Sequence, residues 1–251
     1  MFARRKPAHG RALTGRLSRA LSFAAALGGA LASPLLPSVA AAACVSNDHD
    51  ALLIFDASYS MLRQIENGVS RFQLARQSIN DTLDVFPDNA LVALRLYGSN
   101  TPAQRMDCSD TVLKVPFAPA ATNRGVIKTV LAGTHARGVT PIAFALKQAA
   151  EDFPSTAPER IIVLLSDGGE DCGGDPCAVA ADLHMQGFVI NTLGLFTDPI
   201  GYRQLQCIAR VSGGQFFHVE VPVQLTDRLM QAMGICPIAL GPARREASAF
   251  G

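Results

Sequence analysis

The chain has 251 residues, 49% of them hydrophobic and 17% charged, which argues against a disordered chain and allows one sizeable α/β domain with short extensions. Six Lys and Arg and no acidic residue fall in the first 43 positions, and the remaining 16 basic and 21 acidic residues give a net charge of −5. Because nucleic-acid binding depends on neutralising phosphates, this acidic remainder argues against a nucleic-acid-binding protein and suits one that collects cations.

The N-terminal segment, residues 1–43, has the features of an export signal. Its basic start is followed by an uncharged stretch, and Ala41 and Ala43 are the small residues that a signal peptidase requires just before Cys44. We therefore expect a periplasmic or secreted protein. Two alternatives stay open: an uncleaved membrane anchor, and a lipoprotein attached through Cys44. Membrane association is expected only in those two cases.

After Cys44, apolar runs typical of buried strands alternate with segments of helical periodicity. The predicted strands are 51–55, 90–97, 111–115, 161–165, 189–196 and 215–219. The predicted helices are 71–85, 123–131, 141–153, 176–187, 200–211 and 223–233. Pro141 would begin the third helix with Thr140 as its N-cap, and 111–115 alternates like an edge strand. Residues 237–251 show no periodicity and are interpreted as a flexible C-terminal tail.

Apolar strands separated by helices indicate a mostly parallel sheet with helices on both faces. We predict a Rossmann-like, doubly wound α/β domain over residues 44–236. In such sheets, ligands bind at the carboxyl ends of the strands, at the point where the winding direction reverses. The strands 51–55 and 161–165 are each followed by a polar segment containing an Asp, and we expect them to be neighbours at that point.

Three polar segments should therefore converge on one edge of the sheet: DASYS at 56–60, GVTP at 138–141 and SDGGED at 166–171. Five of their side chains could meet around one ion, two carboxylates and three hydroxyls, with no imidazole or thiolate among them. The candidate metal ligands are Asp56, Ser58, Ser60, Thr140 and Asp167. An oxygen-only set of this kind favours a hard divalent cation, Mg²⁺ first and then Mn²⁺ or Ca²⁺, over zinc or copper.

These motifs, in this order and spacing, resemble the von Willebrand factor type A (VWA) domain with its metal-ion-dependent adhesion site (MIDAS). The family pattern is Asp-x-Ser-x-Ser, then a distant Thr, then an Asp after the following strand, and all five positions match. The resemblance covers residues 50–235, and its last motif is similar to the bacterial exported branch of the family. It implies the VWA fold and a function in binding other proteins.

The resemblance also implies a role for each residue of the site. Ser58 and Ser60 would bind the cation directly, joined by Thr140 in a high-affinity state, while Asp56 and Asp167 would act mostly through bound waters or hydroxyls. One coordination position would stay open for the carboxylate of a partner, either a protein or an envelope component. No small-molecule substrate is expected.

Other residues near these motifs have two interpretations each. Bacterial relatives often have Gly where this chain has Tyr59, and the tyrosine would either line the surface on which the partner lands or pack on the core. Asp56 can also be a helix N-cap or turn residue without binding a cation. Asp171 and Asp175 are interpreted as turn residues rather than as a second cation site.

All six cysteines follow the predicted cleavage site, and an even number in an exported chain predicts disulfides, although their connectivity is open from the sequence. In the VWA architecture the two ends of the domain lie close together, which favours a bond between the first and last cysteines. The preferred pairs are Cys44–Cys236, Cys108–Cys172 and Cys177–Cys207, with Cys172–Cys177 as an alternative.

Two other functions compete with a metal-dependent binding module. A Mg²⁺-dependent phosphatase or hydrolase would use Asp56 as its nucleophile, but such enzymes usually have a second Asp two residues later, where this chain has Ser58. A structural scaffold with a vestigial metal site would not need all five matching positions. We therefore predict an exported binding module that captures an acidic group of a partner, without enzymatic activity.

Overall fold

Six strands form one sheet in the computed structural model, which describes residues 50–65, 68–157 and 159–235. The strands are β1 Asp50–Asp56, β2 Leu91–Tyr97, β3 Thr111–Pro119, β4 Arg160–Ser166, β5 Phe188–Leu195 and β6 Phe216–Val219. The helices are α1 Arg71–Val85, α2 Ala120–Gly133, α3 Ile142–Glu151, α4 Pro176–Met185, α5 Pro199–Val211 and α6 Leu225–Ala232. The predicted signal segment 1–43, the predicted tail 237–251 and the predicted pair Cys44–Cys236 lie outside the described residues.

The strand order, β3-β2-β1-β4-β5-β6, confirms the predicted doubly wound sheet. From β1 the chain adds β2 and β3 on one side, and from β4 it adds β5 and β6 on the other. All neighbouring strands are parallel except β2 and β3. The direction of winding therefore reverses between β1 and β4, which pair directly, as the sequence predicted.

The core lies on both faces of the sheet because β1 is buried along its whole length. Alternate side chains of this strand point to opposite faces. Ala51, Leu53 and Phe55 pack with apolar residues of α1, α2 and α6. Leu52 and Ile54 pack with those of α3, α4 and α5. A continuous apolar strand without alternation is what a sheet covered on both faces requires.

One charged pair is buried inside this fold. The side chain of Arg95, in β2, donates to both carboxylate oxygens of Asp152 over 2.6 and 2.8 Å, and it also donates to Thr111 over 3.1 Å. Both charged side chains are less than a tenth exposed. A two-point ion pair of this geometry keeps a buried charge satisfied. The pair links β2 to the residue that follows α3.

The structure corrects two local predictions. The edge strand β3 runs to Pro119 rather than ending near Val115, and α2 follows it immediately at Ala120. An edge strand tolerates prolines because one side of its backbone needs no partner. The second correction concerns α3, which begins at Ile142 with Pro141 in the N-cap position and no side-chain cap. Thr140 is therefore not the N-cap.

Side chains cap the starts of α1 and α4. Ser70 caps α1 in a capping box, in which the Gln73 backbone N–H donates to the Ser70 side chain and the Gln73 side chain accepts from the Ser70 N–H. Asp175 is the N-cap of α4, and its side chain accepts from Ala178 N–H over 3.0 Å. This capping role explains the residue without a second cation site. None of the helices in the described part of the chain is both long enough and apolar enough to cross a bilayer.

Candidate metal centre

The carboxyl ends of the five parallel strands share one edge of the sheet, which we call the rim. At its middle, the last residue of β1, Asp56, is fully buried beside Ser166 at the end of β4. The Ser166 hydroxyl donates to Asp56 Oδ2 over 2.6 Å, and the Ser58 backbone N–H donates to Asp56 Oδ1 over 2.7 Å. Both oxygens of this carboxylate therefore accept a hydrogen bond, one from a residue two positions away and one from a residue 110 positions away.

The two serines of DASYS form a chain of hydrogen bonds that reaches across to β4. The Ser60 hydroxyl donates to Asp167 Oδ1 over 2.6 Å, and the hydroxyl oxygens of Ser58 and Ser60 are 2.9 Å apart. Because Ser60 gives its only proton to Asp167, Ser58 is the donor in the second bond. Residues 107 positions apart in the sequence thus meet at one point of the rim.

Arg71, the first residue of α1, donates a hydrogen bond to the other carboxylate oxygen of Asp167. Its Nη1 lies 2.7 Å from Asp167 Oδ2, and the two side chains are 14% and 0% exposed. The guanidinium carbon also lies 5.7 Å from the ring centroid of Phe196, which follows β5. The capping box of α1 fixes where Arg71 begins its helix. Arg71 therefore both orients Asp167 and neutralises one of the two carboxylates.

Thr140 is buried next to this group, in the segment that leads into α3. Ser58 forms a parallel bridge with Gly138, and Tyr59 N–H donates to Gly138 C=O over 2.8 Å. The C=O of Thr140 accepts from Asp171 N–H over 3.0 Å. GVTP is thus held between DASYS on one side and SDGGED on the other, and the structure brings all three predicted segments together.

This packing depends on glycine at two positions. A Cβ on Gly138 would lie 2.6 Å from Gly98 Cα, and a Cβ on Gly98 would lie 2.7 Å from Val139 O. Gly98 also has a φ of +67°, which other residues rarely adopt. The loop that follows β2 can therefore approach the Thr140 segment only because both residues lack a side chain.

Glu170 organises the loop that carries Asp167. Its Oε2 accepts from Ala143 N–H at the start of α3 over 2.7 Å, and its Oε1 accepts from Cys172 N–H over 2.9 Å. Its own N–H donates to Gln204 in α5 over 2.8 Å. Glu170 thus satisfies a free N–H of α3 that a side-chain cap would otherwise satisfy, and it ties the Asp167 loop to the segment of Thr140.

The disulfides Cys108–Cys172 and Cys177–Cys207 confirm the preferred pairings over Cys172–Cys177. The first joins the loop after β2 to the loop that carries Asp167, so both of its ends lie on the rim. The second joins the start of α4 to α5. Disulfides of this kind are typical of proteins that fold outside the cytoplasm.

Sequence reasoning did not find Arg71, Ser166 or Glu170 as parts of the site. Ser166 and Glu170 stand in SDGGED, so their place in the motif could have indicated them. Arg71 gave no signal, because its contact with Asp167 spans 96 positions. Tyr59 is 60% exposed beside the serines, so it does not pack on the core.

Two buried carboxylates with a single arginine leave an unbalanced negative charge at the site. The pKa of Asp56 is raised from 3.8 to about 6, first by burial and then by the charge of Asp167, against the hydrogen bonds from Ser166 and Ser58. Burial, followed by the charge of Asp56, raises the pKa of the adjacent Tyr97 well above its usual 10.0. A divalent cation would stabilise the ionised form of these carboxylates.

The residues present therefore fit a hard cation. Their donor atoms are carboxylate and hydroxyl oxygens, the ligands that Mg²⁺ and Ca²⁺ prefer. The described residues contain no group of three or more His, Cys, Asp or Glu side chains placed to hold a metal. Any cation at the rim would accordingly depend on the hydroxyls of Ser58, Ser60 and Thr140 together with the two aspartates.

Solved structures with the same fold include several VWA-type domains, although no family model matches the chain. A VWA protein from Catenulispora acidiphila superposes with a TM-score of 0.58 at 21% identity, covering 75% of this chain and 43% of that one. An aerotolerance-related membrane protein from Bacteroides fragilis gives a TM-score of 0.59 at 21% identity, covering 74% and 98%. Proximal thread matrix protein 1 from the mussel byssus, with a zinc-occupied MIDAS motif, gives a TM-score of 0.56 at 22% identity, covering 75% of this chain and 46% of that one. The fold of this chain is that of the VWA domains.

Two Bacillus subtilis proteins are similar in sequence. The uncharacterized protein YwmC is 32% identical over 171 residues, which cover 66% of this chain and 74% of YwmC. The uncharacterized protein YwmD is 25% identical over 177 residues, covering 67% and 78%. The chain belongs to the same family as YwmC.

Proposed function

We propose that this protein is a metal-dependent binding module, which holds a divalent cation at the rim and uses it to capture an acidic group of a partner protein. The observation that carries the proposal is the hydrogen-bonded group of Ser58, Ser60 and Asp167, closed by Arg71 on one side and by buried Asp56 on the other. These side chains come from three separate segments: the serines and Asp56 supply oxygens from DASYS, Asp167 supplies oxygens from the loop after β4, and Arg71 donates from α1.

The charges support an acidic ligand. Two aspartates and Arg71 sum to −1 within the site when both carboxylates are ionised, so a divalent cation would bring the site to +1. One carboxylate from a partner would then neutralise it. Since Ser58, Ser60 and Thr140 are neutral ligands, a cation held by them would keep its attraction for an incoming anion.

The oxygen donors favour Mg²⁺ as the resident cation, with Mn²⁺ and Ca²⁺ as alternatives. The zinc-occupied MIDAS motif of the mussel protein supports a divalent cation in general, and it makes zinc a competitor to be measured rather than excluded. The cation's contribution would be to bind and polarise the partner's carboxylate. This chain's part is to supply the oxygens that hold the cation.

The geometry favours binding over catalysis. Asp56, the nucleophile of the alternative phosphatase mechanism, is fully buried, and both of its oxygens accept hydrogen bonds from Ser58 N–H and the Ser166 hydroxyl. A nucleophile needs an oxygen that can reach the substrate. We therefore propose that the protein is not an enzyme. The disulfides and the sequence of residues 1–43 support export to the periplasm or the exterior.

Thermal unfolding with and without Mg²⁺ tests this function. Mg²⁺ at a hundredfold excess over its Kd should stabilise the wild type by about 2.7 kcal/mol, because it binds the folded state alone. Ser58→Ala and Asp56→Ala should lose the shift, while Ser109→Ala, which removes a hydroxyl from the loop after β2, should keep it. A wild type without any response to Mg²⁺, Mn²⁺, Ca²⁺ or Zn²⁺ would contradict the proposal, and so would turnover of phosphatase substrates that is lost in Asp56→Ala.

A further inference from the structure

Exposed apolar side chains are concentrated on the rim. Ten large apolar residues are exposed in the described part of the chain, and eight of them lie in segments that follow a parallel strand or begin a helix at the rim. These eight are Tyr59, Leu62, Val69, Met106, Phe144, Ile200, Val221 and Val223. The other two, Val126 and Met185, lie in the middle of α2 and at the far end of α4. Scattered exposed apolar residues are ordinary, but a concentration on one surface marks an interaction site.

Four of the eight, which we call the apolar collar, lie in elements that begin beside the three motifs of the metal centre: Tyr59, Leu62, Phe144 and Ile200. Tyr59 and Leu62 begin and end the short 3-10 helix that follows Ser58, and they are 60% and 44% exposed. Phe144 is in the first turn of α3, just after the segment of Thr140.

Ile200 comes from the opposite side of the site. It is 58% exposed in the first turn of α5. Its neighbour Gly201 packs so closely on the Asp167 loop that a Cβ there would lie 2.7 Å from the Gly168 carbonyl carbon. The collar therefore contains side chains from three elements, each of which is anchored to a different motif of the metal centre.

An apolar surround changes what the metal centre can bind. A carboxylate that reaches a cation through such a collar would lose contact with water, and the electrostatic attraction would be stronger in the drier environment. A sugar or a free organic acid has little apolar surface to cover these four side chains. A peptide that carries apolar residues next to its acidic residue would bury the collar and bring the carboxylate to the cation at the same time.

We propose that the partner presents a peptide segment in which an acidic residue is flanked by aromatic or aliphatic side chains, and that the apolar collar selects those flanks. This inference rests on the proposed function, because the acidic residue is placed by the cation. It adds the chemical nature of the partner: a protein, recognised through an acidic residue in an apolar context.

Selection from a random-peptide library displayed on phage tests the inference. The full-length protein is immobilised in Mg²⁺, and bound phage are eluted with a chelator. We expect the recovered sequences to share one Asp or Glu with aromatic or aliphatic residues next to it. A synthetic peptide of the enriched sequence then serves as the probe in titrations with collar variants and with matched controls.

The collar variants are Tyr59→Ser, Phe144→Gln and Ile200→Ser. The controls are Val126→Ser and Met185→Gln, which remove exposed apolar side chains that do not lie on the rim. Each collar variant should bind the peptide about tenfold more weakly, as expected for the loss of a well-placed interface side chain. The controls should bind it as the wild type does. The Mg²⁺ thermal shift of every variant shows whether its metal centre is intact.

The outcomes separate this inference from the function on which it rests. Recovery of acidic peptides without apolar flanks, or equal binding by collar and control variants, would overturn the collar and leave metal-dependent capture standing. Failure to recover acidic peptides in Mg²⁺ would overturn both. An acidic polysaccharide, offered to the immobilised protein in Mg²⁺, serves as a second probe, and its retention without recovery of any peptide would overturn the inference that the partner is a protein.

Discussion

At the scale of single residues, the metal centre buries more negative than positive charge, because two carboxylates, Asp56 and Asp167, face one arginine, Arg71. Among residues 50–65, 68–157 and 159–235, Asp56 has no cationic partner and Asp167 has one, Arg71. Burial of an ionised group without full compensation lowers stability unless a ligand supplies the missing charge. Binding of a cation should therefore raise the free energy of unfolding, and the contribution of each charged residue to this gain can be measured separately.

The first prediction concerns the pH dependence set by Asp56. In a chelator, its folded pKa of about 6 lies above the ordinary 3.8, so the group favours the folded state at low pH, and this contribution is lost as the pH rises through 6. As the pH rises from 3.8 to about 6, the free energy of unfolding of the wild type should fall by up to about 3 kcal/mol relative to that of Asp56→Asn. Denaturant titrations at a series of pH values measure it. Parallel pH profiles for the two proteins would contradict the raised pKa.

The second prediction concerns Arg71. Arg71→Met should destabilise the protein in chelator by about 3 kcal/mol, because it leaves the Asp167 carboxylate buried without its partner. Mg²⁺ should then stabilise the variant more than it stabilises the wild type, since the site has gained one negative charge. The control is Lys128→Met, which removes a partly exposed ion pair with Asp84 and should cost no more than about 1 kcal/mol. An equal Mg²⁺ effect in all three proteins would show that Arg71 does not set the charge of the site.

At the scale of elements, the sequence predicted the strands and helices well where apolar periodicity decides them. It was less successful where a distant partner decides them. Thr140 looked like an N-cap, but Pro141 occupies that position, and Glu170 from another loop accepts from the N–H of Ala143. The contact spans 27 positions, and a local pattern cannot show it. The extension of β3 to Pro119 was likewise missed, because the edge position that tolerates proline is a property of the sheet.

The third prediction compares two glycines in different elements. Gly138→Ala should destabilise the protein by about 2 kcal/mol or more and weaken its response to Mg²⁺, because the new Cβ would overlap the backbone of Gly98 beside Thr140. Gly125→Ala should stabilise it by about 0.5–1 kcal/mol, since Gly125 lies inside α2 with open space at its Cβ position. Thermal unfolding measures both. A Gly138→Ala variant with a normal Mg²⁺ shift would show that the Thr140 segment is not part of the site.

At the scale of the whole molecule, the doubly wound sheet and the pairing of β1 with β4 could be predicted from the sequence, because few topologies suit apolar strands that alternate with helices. This pairing brings Asp56, the last residue of β1, and Asp167, which follows β4, to neighbouring strand ends, as expected. The identity of Arg71 as the ion partner of Asp167 could not be predicted in this way. Several arginines follow strands or begin helices, and only the packing of α1 decides which one reaches the carboxylate.

The fourth prediction concerns the two disulfides that link separate parts of the molecule. Replacing either pair with serines should cost about 2–4 kcal/mol, because each bond restricts a long loop of the unfolded chain. Only the loss of Cys108–Cys172 should also weaken Mg²⁺ binding. Cys172 N–H donates to Glu170, which holds the start of α3 after Thr140. Titration with Mg²⁺ after each replacement distinguishes the two bonds, and an equal change in affinity for both would refute a special role for the rim bond.

The edge strand β3 has a consequence for how copies of this protein behave beside one another. It carries Pro116 and Pro119, an exposed Lys114 and an irregular register with β2. Prolines lack the backbone N–H that would pair with an added strand, and a lysine resists burial. Another chain therefore cannot readily add a strand to this edge of the sheet. Two copies should therefore not associate edge to edge through β3, so this flank of the sheet resists fibre-like stacking.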